Sequence, residues 1–248
     1  MPRPRLQLLS SRTWRPVAAA AVLALLLGIG YMLRPITVEA PFGGQAHAVL
    51  PDGSNVELNS GSTLSYRATF LGKRTVELDG EAYFDVVEDD NAFVVETINA
   101  RTTVLGTEFN VRVRSDEGVP VTSVAVASGR VKVDARRGTR GSVIIEPGYR
   151  SIVRAANDPS VPAEVALDRE LSWREGALAF NGQPFGVIFD EIERRFDVEI
   201  DAPLDLRSEP YTVYLHDPGS AEEVISTIAQ AHGLRYRATA NGYQVYWP

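Results

Sequence analysis

Three histidines and no cysteine in 248 residues leave little material for metal or nucleophile chemistry. The missing thiol excludes a disulfide scaffold, a thiolate zinc site, an iron–sulfur cluster and a Cys nucleophile. His47 stands alone in a strand-like stretch and reads as a packed or surface residue. His216 lies beside Asp217-Pro218 in a loop, and His232 falls in the last turn of a helix. Carboxylates are plentiful, and a pair of them could hydrolyse a glycan. None sits in a recognisable setting. The densest run, Glu88-Asp89-Asp90, lacks the spaced ligands and glycine of a calcium loop and reads as a solvated turn. Asp52 and Asp79 each precede glycine, where an Asp stabilises a turn through its own backbone. The sequence holds no nucleophile elbow, P-loop, GxGxxG or HExxH. These residues therefore predict no catalytic site, no metal, no cofactor and no small-molecule substrate. The protein is expected to act by binding, not as an enzyme.

Charge shows where that binding takes place. The net −7 is an average over two regions. Arg3, Arg5, Arg12, Arg15 and Arg34 occupy the first 34 residues without an acid. The remainder carries all 32 acids against 20 bases. So acidic a bulk argues against nucleic acid. Between the Arg groups, Val17 to Leu33 is free of charge and reaches roughly 26 Å as a helix, enough for a bilayer core. Residues 1–16 are then a short cytoplasmic segment and residues 17–33 a transmembrane helix. The positive-inside rule places the rest of the chain outside. A cleaved signal peptide ending at Ala40 is the rival reading.

Beyond the span, the elements follow from periodicity. Residues 42–155 alternate apolar and polar in short runs between Gly, Asp and Asn turns, predicting a β-rich domain. The runs include Asn55–Leu58, Arg74–Leu78, Ala82–Val86, Phe93–Glu96, Glu108–Val113 and Ser123–Val126. A loose echo, Phe84-Asp85-Val86 returning as Phe109-Asn110-Val111, leaves solenoid and jelly roll both open. Residues 156–169 read as a linker. Residues 170–248 read as a small α+β domain of order β-α-β-β-α-β-β, with two helices on one sheet face. Asn181-Gly182 is expected as a turn, and Pro184 as the opening of a helix. Phe185, Ile188, Phe189, Ile192 and Phe196 line one helical face, with Glu191 and Arg195 paired on the other. Arg194-Arg195 is expected to keep that face solvated. Ser220 and Glu223 mark a capping box, and Asn241-Gly242 a hairpin turn. The fold class is mainly β, with one N-terminal transmembrane helix.

In such a layout, binding chemistry falls to an open strand edge. Tyr211, Thr212, Val213, Tyr214 and Leu215 form the candidate, since alternating aromatic and aliphatic side chains suit partner pockets. Proline at Val213 is expected to abolish binding there and leave the domain folded. Trp173 reads as an aromatic plug between the two domains, with partner binding as its second reading.

Leu50-Pro51-Asp52-Gly53-Ser54 running to Leu58-Asn59-Ser60-Gly61-Ser62, Leu78-Asp79-Gly80-Glu81-Ala82-Tyr83-Phe84-Asp85-Val86, Val104-Leu105-Gly106-Thr107-Glu108-Phe109-Asn110-Val111, Ser128-Gly129-Arg130-Val131, and Trp173-Arg174-Glu175-Gly176-Ala177-Leu178-Ala179-Phe180 form an ordered set. That set resembles the FecR family of inner-membrane regulators. The resemblance implies a β-rich FecR domain and a terminal domain similar to the secretin and TonB short N-terminal module. It also implies a periplasmic bulk that binds the signalling domain of a TonB-dependent outer-membrane transporter. Regulation of an extracytoplasmic-function sigma factor, as in iron uptake, would follow. The family's sigma-binding segment is a helical unit of several dozen residues, and only Met1 to Pro16 precede the span here. An envelope scaffold without sigma-factor output is the alternative.

Overall fold

A computed structural model of the chain describes residues 14–70, 72–116, 118–136 and 141–248. Arg3, Arg5 and Arg12, and most of the expected 1–16 segment, lie outside the described residues. Helix α1 (Trp14–Leu33) starts before the expected Val17 and ends at the expected Leu33. Pro16 fits its first turn, where no intrahelical N–H bond is due. Twenty residues rise about 30 Å, and from Pro16 to Leu33 nothing among the described residues covers them.

Arg34 alone separates α1 from the first strand. The β region thus begins before residue 42, with β1 (Pro35–Glu39), β2 (Ala46–Val49), β3 (Asn55–Leu58), β4 (Thr63–Arg67) and β5 (Arg74–Asp79). It continues with β6 (Glu81–Val86), β7 (Phe93–Glu96), β8 (Ala100–Val104), β9 (Thr107–Asp116) and β10 (Val119–Ser128). The last are β11 (Val131–Ala135), β12 (Ser142–Ile145), β13 (Tyr149–Arg154) and β14 (Ala163–Glu164). Two seven-stranded sheets result, ordered β1-β4-β5-β7-β8-β11-β12 and β14-β13-β10-β9-β6-β3-β2. Within them every pairing is antiparallel except β5 with β7. The domain is a sandwich, yet strand order follows chain order in both sheets, which is the winding of a solenoid. The Phe84/Phe109 echo marks neighbours: the two residues pair across β6 and β9 and their rings stack at 5.1 Å. Phe93 from the opposite sheet meets Phe84 at 6.1 Å, so three buried rings hold the layers together.

The registers define two poles. At the pole where β1 starts lie the β2–β3, β4–β5, β6–β7 and β8–β9 loops. Buried Arg74 ties these loops together. It donates to Asp52 Oδ2 (3.1 Å), to the Val87, Asn91 and Leu105 carbonyls, and lies over the Phe93 ring. At the far pole lie the β1–β2, β3–β4 and β5–β6 turns.

The expected linker is partly structured. Strand β14 caps the edge at β13, and a short helix α2 (Leu167–Glu170) and a 3₁₀ turn (Ser172–Glu175) follow. An exposed sheet edge gives the linker backbone ready partners. The C-terminal unit contains β15 (Leu178–Pro184), α3 (Phe185–Phe196), β16 (Glu199–Asp201), α4 (Leu204–Ser208) and β17 (Pro210–Leu215). It ends with α5 (Ala221–His232), β18 (Arg235–Ala238) and β19 (Gly242–Tyr246). The order is as expected, with α4 added. The single sheet is not found, because β15-β17 and β16-β19-β18 are separate. Asn181-Gly182 is no chain reversal but a bulge inside β15, with Gly182 at φ +61 and its N–H donated to Thr212 Oγ1. Pro184 caps α3 from outside rather than opening it. In the capping box, Ser220 accepts from Glu223 N as expected, but the Glu223 carboxylate reaches Gly219 N instead of Ser220 N.

Candidate functional site

Strand β17 alternates in exposure. Tyr211, Val213 and Leu215 pack half-buried against the C-terminal core. Tyr211 stacks on Phe185 at 4.8 Å and meets His232 edge-on at 5.4 Å. Thr212 and Tyr214 face outward, with the Arg169 guanidinium 5.9 Å from the Tyr214 ring. Among the described residues β17 pairs only with β15, so its other edge has no strand neighbour. Of the five candidate residues, two side chains are therefore available to a partner. The other three hold the strand in place.

Trp173 is 92% covered, having only 8% exposure. Its Nε1 donates to Asn110 Oδ1 on β9 at 3.2 Å, and Gln45 donates to its carbonyl at 2.9 Å. Its neighbour Arg174 makes a two-pronged bond to Glu57 and lies 3.9 Å over the Tyr83 ring. That bond holds Glu57 below the usual carboxylate range. Burial and a hydrogen bond to Glu108 push the Tyr83 hydroxyl well up. Together these contacts pin the 3₁₀ turn to the outer face of the second sheet.

At the far pole the two domains share a buried charged cluster. Glu191 on α3 is not paired to Arg195 on a solvated face. It is 5% exposed and bonded to Arg112 of β9 (2.5 Å), Arg194 (2.8 Å) and Asn59 (3.2 Å). Arg195 turns to Asp217 instead (3.6 Å). Glu81 at the start of β6, equally buried, accepts from Asn59 (3.0 Å) and Asn110 (2.9 Å) and lies 3.3 Å from Arg112. Burial raises the Glu81 carboxyl and neighbouring Glu191 adds to it, while Arg112 opposes. Burial also works against Glu191, but Arg112 and Arg194 outweigh it and hold that group at about 2. The two acids raise the Arg112 guanidinium in turn. A cavity of about 300 Å³ opens beside the cluster, lined by Asn59, Gly80, Glu81, Arg112 and Arg194. None of these residues was singled out for binding in the sequence. The one legible sign is a carboxylate set against the α3 apolar stripe, between Ile188 and Ile192.

Sequence and structure comparisons agree with this architecture. The family model described as FecR protein matches residues 36–145, and that described as FecR, C-terminal, matches residues 177–246. Curated proteins give no match. Two crystal structures of a candidate anti-sigma factor from Parabacteroides distasonis, at 2.50 and 1.65 Å resolution, are similar to this chain at 28% identity. Their TM-scores are 0.78 and 0.77, covering 87% and 86% of this chain and 100% and 99% of theirs. With its strand pattern, its two-domain build and both halves of the family matched in order, the chain belongs to the FecR family.

Proposed function

We propose that this protein is a single-pass inner-membrane sensor that regulates a sigma factor by binding proteins on both sides of the membrane. Helix α1 is the span, with its N-terminus in the cytoplasm and residues 35–248 in the periplasm. The C-terminal domain takes the signalling domain of a TonB-dependent outer-membrane transporter, in a circuit controlling uptake of a scarce nutrient such as chelated iron. The observation that carries the reading is the unpaired β17 edge, set on the domain that docks at the pole opposite the span. Backbone groups there supply affinity by strand addition, and Thr212 and Tyr214 supply selectivity. Family membership and the anti-sigma assignment of the structural relatives support the sigma-factor arm.

The test is titration of the detergent-solubilised protein with transporter signalling domains. Tyr214→Ala is expected to weaken binding about tenfold or more, as for an exposed aromatic anchor, with the melting temperature unchanged. Wild-type affinity in Tyr214→Ala and in a Thr212→Pro variant together would remove β17 from the reading.

A further inference from the structure

The junction between α1 and the sandwich fixes which loop meets the bilayer. Arg34 is the one residue between helix and strand. Its carbonyl accepts the Ala68 N–H at 3.1 Å, and its guanidinium lies 4.5 Å from the Tyr31 ring. The β4–β5 loop is therefore hydrogen-bonded to the residue that leaves the span. Between Arg67 and Arg74 the chain has three bases, Phe70 and no acid. Arg67 and Lys73 are exposed, as is Arg34, and none of the three is in an ion pair among the described residues. Arg74 is turned inward onto Asp52 and is not available. Phe70 is half-buried, edge-on to Phe93 at 6.4 Å, so the loop is braced from within.

From this juxtaposition we infer that the β4–β5 loop is a lipid-docking surface: Arg34, Arg67 and Lys73 bind the phosphates of anionic phospholipid headgroups. Basic side chains at an anionic surface each contribute about fivefold in local binding, and an amphipathic Arg or Lys extends to the interface readily. The same pole carries Glu88, Asp89 and Asp90 on the β6–β7 loop, exposed beyond Arg74. Bonds from Asn91 keep Asp89 below its ordinary carboxylate range. An anionic surface draws the β1 corner and repels the β6–β7 corner, so the sandwich leans on its basic side.

The inference rests on α1 being a membrane span, and the test separates the two. The chain has no cysteine, so nitroxide labels can be placed singly at Leu26→Cys, Thr69→Cys and Asn241→Cys in the full-length protein. Each is reconstituted in nanodiscs of phosphatidylglycerol and phosphatidylcholine, or of phosphatidylcholine alone. Collision with a water-soluble nickel chelate reports depth. The expected result is a Leu26 label in hydrocarbon, an Asn241 label in bulk water, and a Thr69 label several-fold more protected than Asn241. That protection should be greater in the anionic discs and lost on Arg67→Glu with Lys73→Glu, with Leu26 unmoved. A buried Leu26 label with Thr69 as accessible as Asn241, or with protection insensitive to the charge reversal, overturns the loop inference. An aqueous Leu26 label overturns the span itself.

Discussion

Residue by residue, the domain boundary moves two similar carboxylates in opposite directions, Glu191 down and Glu81 up. Glu191 has two arginines, and Glu81 has the share of Arg112 that remains plus two amides. Glu191→Gln is expected to destabilise the protein by about 3 kcal/mol, the usual cost of breaking a buried pair and leaving Arg112 short of charge. Glu81→Gln is expected to cost less, about 1–2 kcal/mol, because Arg112 keeps Glu191, while the amide turns one NH2 toward the Asn59 or Asn110 donor. Denaturant midpoints of the two variants check the order, and an equal cost would show that the pair is symmetric. The pH dependence has a definite sign. The folded value of Glu191 lies below the ordinary 4.5, so its contribution is complete above about 4.5 and is lost as pH falls toward 2. Glu81, raised in the fold, opposes this by gaining stability as it protonates. Glu191→Gln should therefore flatten the acid limb of stability below pH 4.5. Another single side chain is out of place in the core. Thr102, fully buried on β8, leaves its hydroxyl without a partner among the described residues. Thr102→Val is expected to stabilise by about 1 kcal/mol, read as a rise of a few degrees in melting temperature. Thr102 does not declare itself in sequence, and Glu191 does so only by its place beside the α3 apolar stripe. A helical Glu or a strand Thr is by default at the surface, and only the facing element shows otherwise.

Among the elements, those with short-range causes were legible. Strands β3, β5, β6 and β7 and helices α3 and α5 follow from alternation, helical stripe and capping, all local signals. Strand β1 was not, since it follows the span with no turn signal between them. The Asn181-Gly182 bulge was read as a reversal because its local chemistry suits either outcome. The pairing of β15 with β17, which decides between them, joins residues from Pro184 and Pro210 out to Leu178 and Leu215, far outside any local window. The candidate edge at β17 was legible from side-chain alternation, but its freedom depended on the C-terminal strands dividing into two sheets. The β5–β6 turn carries an element-scale prediction. Gly80 sits at φ +99, and a Cβ there would come within 2.7 Å of Ser62 Cα. Ser62 Oγ holds Glu81 N at 2.8 Å. Gly80→Ala is expected to cost about 2 kcal/mol or more, from left-handed strain plus the displaced neighbour. A thermal melt checks it.

On the scale of the whole molecule, the two apolar clusters stay separate, and charge and amide groups link the domains. Such an interface is held closed by pairing and can be opened by changing one residue. Glu191→Lys sets two cations, the new side chain and Arg194, beside Arg112, with Glu81 the near acid left to balance all three. The expected outcome is separation of the domains, seen as a larger radius of gyration in small-angle scattering and faster proteolysis between residues 165 and 176. An unchanged radius would mean that Trp173 and Arg174 hold the domains unaided. The passage from strands alone to mixed strands and helices was legible from the change in period near residue 170. The docking was not, because it joins Asn59 and Arg112 to Glu191 on α3, residues far apart in sequence.

The agreement between strand order and chain order also governs how the protein is made. Synthesis from the N-terminus delivers β1, then β2 and β3, then β4 to close on β1, and each later strand finds a growing edge already present. Few residues wait long for a partner, which keeps unpaired edges brief during biogenesis. The exception is at the far pole. Glu81 and Arg112 are in place when the sandwich is complete, yet Glu191 is made some 80 residues later. Burial of that pair therefore waits for α3, and the pole stays open to water until the C-terminal domain is made.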